Sequence, residues 1–149
     1  MRIVAATDGS EPANRAVELA ARLAKALNAS LKIIHVVTER DADPDQVGDY
    51  AHSEHHETSA EAANAFSEEK LRIARQRAEA LGVSKVESAS LLELEAGAVA
   101  ETIMDAAHTD DADMIVLGKR GLSRLSGLLV GSVSQKVVSA ASCAVIVVP

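Results

Sequence analysis

Gly118-Lys119-Arg120-Gly121, then nine residues, then Gly131-Ser132: this G-x2-G-x9-G-S/T stretch decides the reading of the chain. It follows a short apolar run, Met114-Ile115-Val116-Leu117, and it opens a helix-like segment from Ser132 to Ala141. A strand, a glycine loop and a helix start together make an anion site. Glycine lets the backbone turn with positive φ and approach a ligand closely. The free N–H groups of the helix start then point at the anion. Ser132 is expected to cap that helix, with Gln135 completing an S-x-x-Q capping box. Lys119, Arg120 and Arg124 place positive charge here in a chain of net charge −7. Each part alone is ordinary, since a glycine after a strand is usually a turn. The spacing is neither a G-x4-G-K-S/T phosphate loop nor the G-x-G-x-x-G dinucleotide fingerprint.

Working outward, the chain alternates apolar runs with helical periodicity. Ile3 to Thr7 is a short run without polar alternation, the pattern of a strand buried on both faces. Asp8-Gly9-Ser10 is a turn, and Glu11-Pro12 suits the first turn of a helix. Ala13, Ala16, Val17, Ala20, Leu23, Ala24 and Leu27 then recur at helical spacing until Asn28. Leu31 to Val37 is a second buried strand. Residues 38 to 52, rich in acids and holding Pro44 and Gly48, form a loop. A long helix is expected from about Ser53 to Leu81, stopped by Gly82. A third strand falls within Val83 to Leu94, and a third helix spans Ala96 to His108. Met114 to Leu117 is the fourth strand, and Cys143 to Val148 is the fifth. The order β-α-β-α-β-α-β-α-β implies an α/β fold: one open parallel sheet with helices on both faces.

Length and composition bound the function. At 149 residues the chain is one domain with room for a real core. One Tyr, one Phe and no Trp leave that core to Ala, Val, Leu and Ile. Base stacking on aromatic rings is therefore almost unavailable, and the negative net charge disfavours duplex nucleic acid and anionic membranes. No apolar stretch approaches the about 20 residues of a membrane span. No secretory pattern follows Met1-Arg2, so a cytoplasmic location is expected. The single Cys143 excludes an internal disulfide and reads as a small core residue.

The glycine spacing, together with Ile3-Val4-Ala5-Ala6-Thr7-Asp8-Gly9-Ser10, Leu31-Lys32-Ile33-Ile34-His35-Val36-Val37 and Ser142-Cys143-Ala144-Val145-Ile146-Val147-Val148-Pro149, resembles the universal stress proteins of the single-domain, ATP-binding type. The resemblance spans essentially the whole chain. It implies a Rossmann-like, five-stranded sheet in the order 3-2-1-4-5, with the ends of strands 1 and 4 meeting at the switch point where ligands bind. It further implies ATP, with Mg²⁺ bridging its phosphates, held by Ala6, Thr7, Asp8, Val36, Leu117, Gly118, Lys119, Arg120, Gly121, Arg124, Gly131, Ser132, Val133 and Ser134. In that picture Asp8 accepts from the ribose, and Ala6, Thr7 and Val36 line the adenine site, largely through backbone groups. Ser132 and Ser134 donate to phosphate oxygens. A homodimer through Val145 to Val148 and a protein client are also implied.

Other candidate chemistry is thinner. His52, His55 and His56 lie in a polar stretch beside Glu54 and Glu57, and read as a solvated helix start rather than a zinc site. Asp41, Asp43 and Asp45 imitate half a calcium loop, but Gln46 stands where glycine is required and His52 where the bidentate Glu should be. His35, in a strand run, reads as a hydrogen-bonded core histidine. No nucleophile elbow or kinase catalytic loop is present, and no residue is identified to position water at a γ-phosphate. Nucleotide binding in a regulatory role is thus expected ahead of two alternatives. These are a slow ATPase or autokinase on the same site, and a nucleotide-independent dimeric module.

Overall fold

A computed structural model describes residues 1–38, 41, 59–93, 97–119 and 130–149. In chain order the elements are β1 (Arg2–Ala6), α1 (Glu11–Leu27), β2 (Ser30–Val37), α2 (Ser59–Ala80), β3 (Val86–Leu92), α3 (Val99–Thr109), β4 (Met114–Gly118), α4 (Ser132–Ala140) and β5 (Ala144–Val148). All strand pairs are parallel, in the order β3-β2-β1-β4-β5. The Rossmann-like α/β fold and strand order expected from the sequence are therefore those of the protein.

Layering follows from the strand pattern. Ile3, Val4 and Ala5 of central β1 are fully buried, since successive side chains enter opposite cores. Ile3, Ala5, Leu31, Ile33 and Val116 face α1 and α2, meeting Ala16, Val17, Ala20, Leu71, Ala74 and Ala78. Val4, Ile34, Ile115 and Leu117 face α3 and α4, meeting Ala100, Ile103, Ala107 and Val137. With almost no aromatic side chains available, the helices present alanine faces to the sheet. Helix backbones can then lie close to it.

Local chemistry sets the helix ends. Ser10 caps α1, its Oγ accepting from Ala13 N–H at 3.4 Å, and Pro12 lies in the first turn, where no donor is missed. Asn28 closes α1 in the left-handed conformation at φ 50°. Gly82, at φ +85°, ends the run after α2 as anticipated. The third helix starts at Val99 rather than Ala96, because Gly97 takes φ +85° and cannot be helical. The third strand, Val86–Leu92, falls within Val83 to Leu94 as expected, with Leu92 exposed at its end. The segment from Ser53 to Thr58, where the sequence places the start of the second helix, lies outside the described residues. No helix among the described residues is long and apolar enough to cross a membrane.

Gly118 is required for packing rather than for φ. A Cβ there would lie 2.8 Å from both Pro12 C and Ala13 N, which are backbone atoms of the first turn of α1. Backbone cannot yield as a flexible side-chain end does. Gly118→Ala is expected to lower the unfolding free energy by about 1–3 kcal/mol, the usual penalty for overpacking. Urea denaturation checks this, and an unchanged midpoint would show that α1 can move aside.

Candidate nucleotide site

The candidate residues converge at the carboxyl end of the sheet. Ala6 pairs with Leu117, so the chain leaving β1 through Thr7-Asp8-Gly9 and the chain leaving β4 through Gly118-Lys119 are neighbours. The first of these turns is self-supporting. Gly9 N–H donates to Thr7 Oγ1 at 3.2 Å, and Ser10 N–H donates to Asp8 Oδ1 at 3.0 Å. Gly9 itself sits at φ +82°. Thr7 is buried, with its hydroxyl engaged in the turn.

Val36 enters from the other side of β1. Strand pairing ends at Ala6 and Ile34, and Thr7 N–H donates to the Ile34 carbonyl at 2.9 Å. Glu93 N–H donates to the Val37 carbonyl, so odd-numbered residues of this end of β2 bond to the β3 side. By alternation Val36 directs its N–H and C=O toward the β1 side, beyond the last pair that β1 makes.

The glycine loop is closed at its neck. Gly131 N–H donates to the Lys119 carbonyl at 2.8 Å, which brings the two ends of the loop together across β4 and α4. Ser134, almost fully buried, donates its hydroxyl to the Gly118 carbonyl at 2.7 Å. Its proton is thereby committed to the scaffold, which the sequence did not foretell. The expected capping box is also absent. Gly131, not Ser132, is the N-cap of α4, with no side-chain cap bond, and Gln135 N–H donates to the Gly131 carbonyl at 2.9 Å. Gly131 has φ −69° and ψ 154°, extended backbone open to any residue, so positive φ does not account for a glycine here. Ser132, Val133 and Ser134 supply the first-turn N–H groups that an α-helix leaves without an internal acceptor. The Val133 side chain packs on the core beneath α4. Arg120, Gly121 and Arg124 lie outside the described residues, as do His52, His55, His56, Asp43 and Asp45. Among the described residues no group of three or more His, Cys, Asp or Glu side chains is arranged to hold a metal ion.

A polar network beside this crevice was legible in the sequence only at one point. His35 is 2% exposed, and both ring nitrogens are engaged. Nδ1 lies 2.8 Å from Ser67 Oγ, and Nε2 lies 3.2 Å from Lys70 Nζ. Lys70 also donates to Asp41 Oδ1 at 2.7 Å, and its stem runs alongside Gly9, 3.4 to 3.6 Å from where a Cβ there would lie. Asp41 Oδ2 accepts from both the N–H and the hydroxyl of Thr38, each at 2.9 Å. Ser67 Oγ lies 2.7 Å from Ser90 Oγ on β3. Sequence reading identified His35 as a satisfied core histidine and dismissed Asp41 as a calcium ligand, but overlooked Ser67, Lys70 and Ser90. The available signal was Ser67 and Lys70 at i, i+3 on one helix face, opposite a histidine that burial obliges to find partners.

Burial, then the neighbouring Lys70 ammonium, lowers the His35 pKa to about 4, against weaker opposing effects of Asp41 and Asp8. Burial alone would raise Asp41, but the hydrogen bonds from Lys70 and from Thr38 N–H outweigh it and hold the carboxyl below its ordinary range. Burial pushes the thiol of Cys143, the residue before β5, up, consistent with an inert residue.

The universal stress protein family model matches residues 1–149, and the chain belongs to that family. It is 36% identical to the Thermus aquaticus "universal stress protein in QAH/OAS sulfhydrylase 3' region", covering 98% of this chain and 96% of that one. Among solved structures it resembles a universal stress protein in complex with cAMP, at 31% identity and TM-score 0.72, over 100% of this chain and 97% of that one. A universal stress protein from Archaeoglobus fulgidus in complex with dAMP shares the fold at 22% identity and TM-score 0.69, over 100% and 98% of the two chains.

The buried histidine makes stability depend on acidity in a defined window. An unfolded histidine titrates near about 6.5, whereas folded His35 stays neutral down to about 4. Between those values the unfolded state binds a proton that the folded state does not, so stability falls as the pH falls. The expected loss is about 3 kcal/mol across the window, at about 1.4 kcal/mol per unit. Loss of the Asp41 charge adds to it at still lower pH. Urea midpoints measured from pH 7 to pH 4 should fall steeply for the native chain and less steeply for His35→Gln. Equal slopes would show that His35 does not carry the effect.

Proposed function

We propose that this protein is a cytoplasmic, ATP-binding regulator whose nucleotide occupancy is read by a protein client. The observation that carries this reading is the convergence on one crevice of the Asp8 turn, the Val36 backbone and the neck of the glycine loop. The chemistry of the groups fits an adenine nucleotide. Val36 offers one donor and one acceptor, the pattern that matches the ring nitrogen and amino group of adenine. Asp8 suits the ribose hydroxyls, and the first turn of α4 with Lys119 suits phosphate oxygens. Arg120 and Arg124 add charge to the same loop by sequence. Bound Mg²⁺ would share the phosphate charge. The similar structure determined in complex with cAMP supports an adenine nucleotide as the ligand class.

Gly131→Val is the direct test. The extended backbone at Gly131 accepts a β-branched residue, so the variant should fold while its side chain occupies the approach to the phosphates. Calorimetry with Mg-ATP is expected to show binding by the native chain and none by Gly131→Val. Asp8→Ala should weaken binding about tenfold to a hundredfold, the loss of one charge-assisted hydrogen bond of about 1.5–3 kcal/mol. Native affinity retained by folded Gly131→Val would refute a site at the glycine loop.

The same reading includes a homodimer through β5. That strand is a sheet edge, bonded only to β4, and edges invite pairing. Lys119 N–H donates to the Val148 carbonyl, so by alternation Val145 and Val147 direct their backbone groups outward. Val147 also packs its side chain on the α3/α4 core, so a charged replacement would damage the fold as well as the edge. Val147→Pro instead removes an outward N–H, a substitution that edge strands tolerate. Sedimentation should report a dimer for the native chain and a folded monomer for Val147→Pro. A dimer persisting in the variant would place the interface elsewhere.

A further inference from the structure

We infer that His35, held by Ser67 and Lys70, positions the Val36 backbone and so sets the preference of the site for adenine over guanine. The inference rests on the nucleotide reading and deepens it. Beyond Ile34, β2 has lost its β1 partner, because pairing ends there and the chain of β1 turns away at Thr7. The free end of β2 stays in register with β3, at Val36↔Leu91 and Val37↔Leu92, and bonds to it where Glu93 N–H donates to the Val37 carbonyl. β3 is itself the sheet edge. The edge of Val36 that faces β1 therefore lies beyond the last β1 pair, and Val36 is placed by its side chain in the α3/α4 core and by the β2 residues on either side of it.

The network fixes the residue before Val36, His35. A lysine ammonium has donors only, so the 3.2 Å contact to Lys70 makes His35 Nε2 an acceptor. The ring proton then belongs on Nδ1 and donates to Ser67 Oγ. Ser67, having accepted, donates to Ser90 on β3. The direction of the whole chain follows from one cation, and it ties the residue before Val36 to α2 and to β3 at once. Asp41 keeps the ammonium in place and leaves no buried polar atom unsatisfied among the described residues. A displacement of a few tenths of an ångström at Val36 would misalign both hydrogen bonds to the base edge. Guanine gains nothing from the aligned geometry, since its edge presents a donor and an acceptor in the opposite order.

Ser67→Ala, Lys70→Met and Lys70→Arg separate positioning from general stability. Affinities for Mg-ATP and Mg-GTP are measured by calorimetry on each folded variant. Amide exchange at Val36 and Val37 is followed without ligand. Ser67→Ala and Lys70→Met are expected to lose tenfold or more in ATP affinity with GTP affinity changed less than twofold, and to exchange faster at Val36 and Val37. Lys70→Arg, which retains a donor for His35 and a charge for Asp41, should recover most of the discrimination. An unchanged ATP-to-GTP ratio, or a parallel loss for both nucleotides, overturns the inference and leaves nucleotide binding intact. Absence of nucleotide binding by the native chain overturns both.

Discussion

The first turn of α1 lies against the end of β4 with nothing but backbone between them, and the rest of the site depends on that approach. Only a glycine at position 118 permits it, since a Cβ would meet Pro12 C and Ala13 N at 2.8 Å. The close fit brings the start of α1, and with it the Asp8 turn, beside the strand that leads into the glycine loop. It is extended along α1 by Ala13, Ala16, Ala20 and Ala24, all buried against the sheet or its neighbouring helix. A core of small side chains is commonly a weak one, because each buries little apolar area. Here small size allows helix and sheet backbones to close together, and the crevice forms where that packing ends.

Two kinds of polar group are buried near this crevice, and they are handled differently. Ser134 and Thr7 spend their hydroxyls on local scaffold, the former on the Gly118 carbonyl and the latter on Gly9 N–H. They hold the shape of the neck and the turn. His35 and Lys70 belong to a longer chain that crosses from α2 to β3. Burial, and after it the neighbouring ammonium, keeps the His35 imidazole neutral, and a carboxylate beside the ammonium compensates its charge. The same arrangement that orders the end of β2 at neutral pH makes the fold sensitive to acid.

Several features were legible in the residues because their causes are local. Short runs without polar alternation, such as Ile3 to Ala6, read as strands covered on both faces. The alanine and leucine spacing of α1, the turn and Glu11-Pro12 at its start and its Asn28 stop are each decided by residues close in sequence. Boundaries failed where a distant or conformational cause intervened. Gly97 adopts a left-handed conformation that postpones α3, and Ser132 is displaced from the cap by Gly131, whose extended backbone already serves that role. The capping preference of serine is worth about 1 kcal/mol, small enough for the closure of the loop neck to override it.

By itself the sequence determined the fold class, the alternation of elements and the family, because hydrophobic periodicity and glycine spacing are properties of the chain read in order. It also marked Asp8, Gly118 and Gly131 as positions of interest. What it could not determine was why each was needed. That Gly118 makes room for α1, that Ser134 has given its proton to a carbonyl sixteen residues away, and that His35 joins Ser67, Lys70, Asp41 and Ser90 in one network are facts about groups remote in sequence. Tertiary structure decided them, since burial removes water as a partner and each buried polar atom must then take whichever group the packing brings within reach.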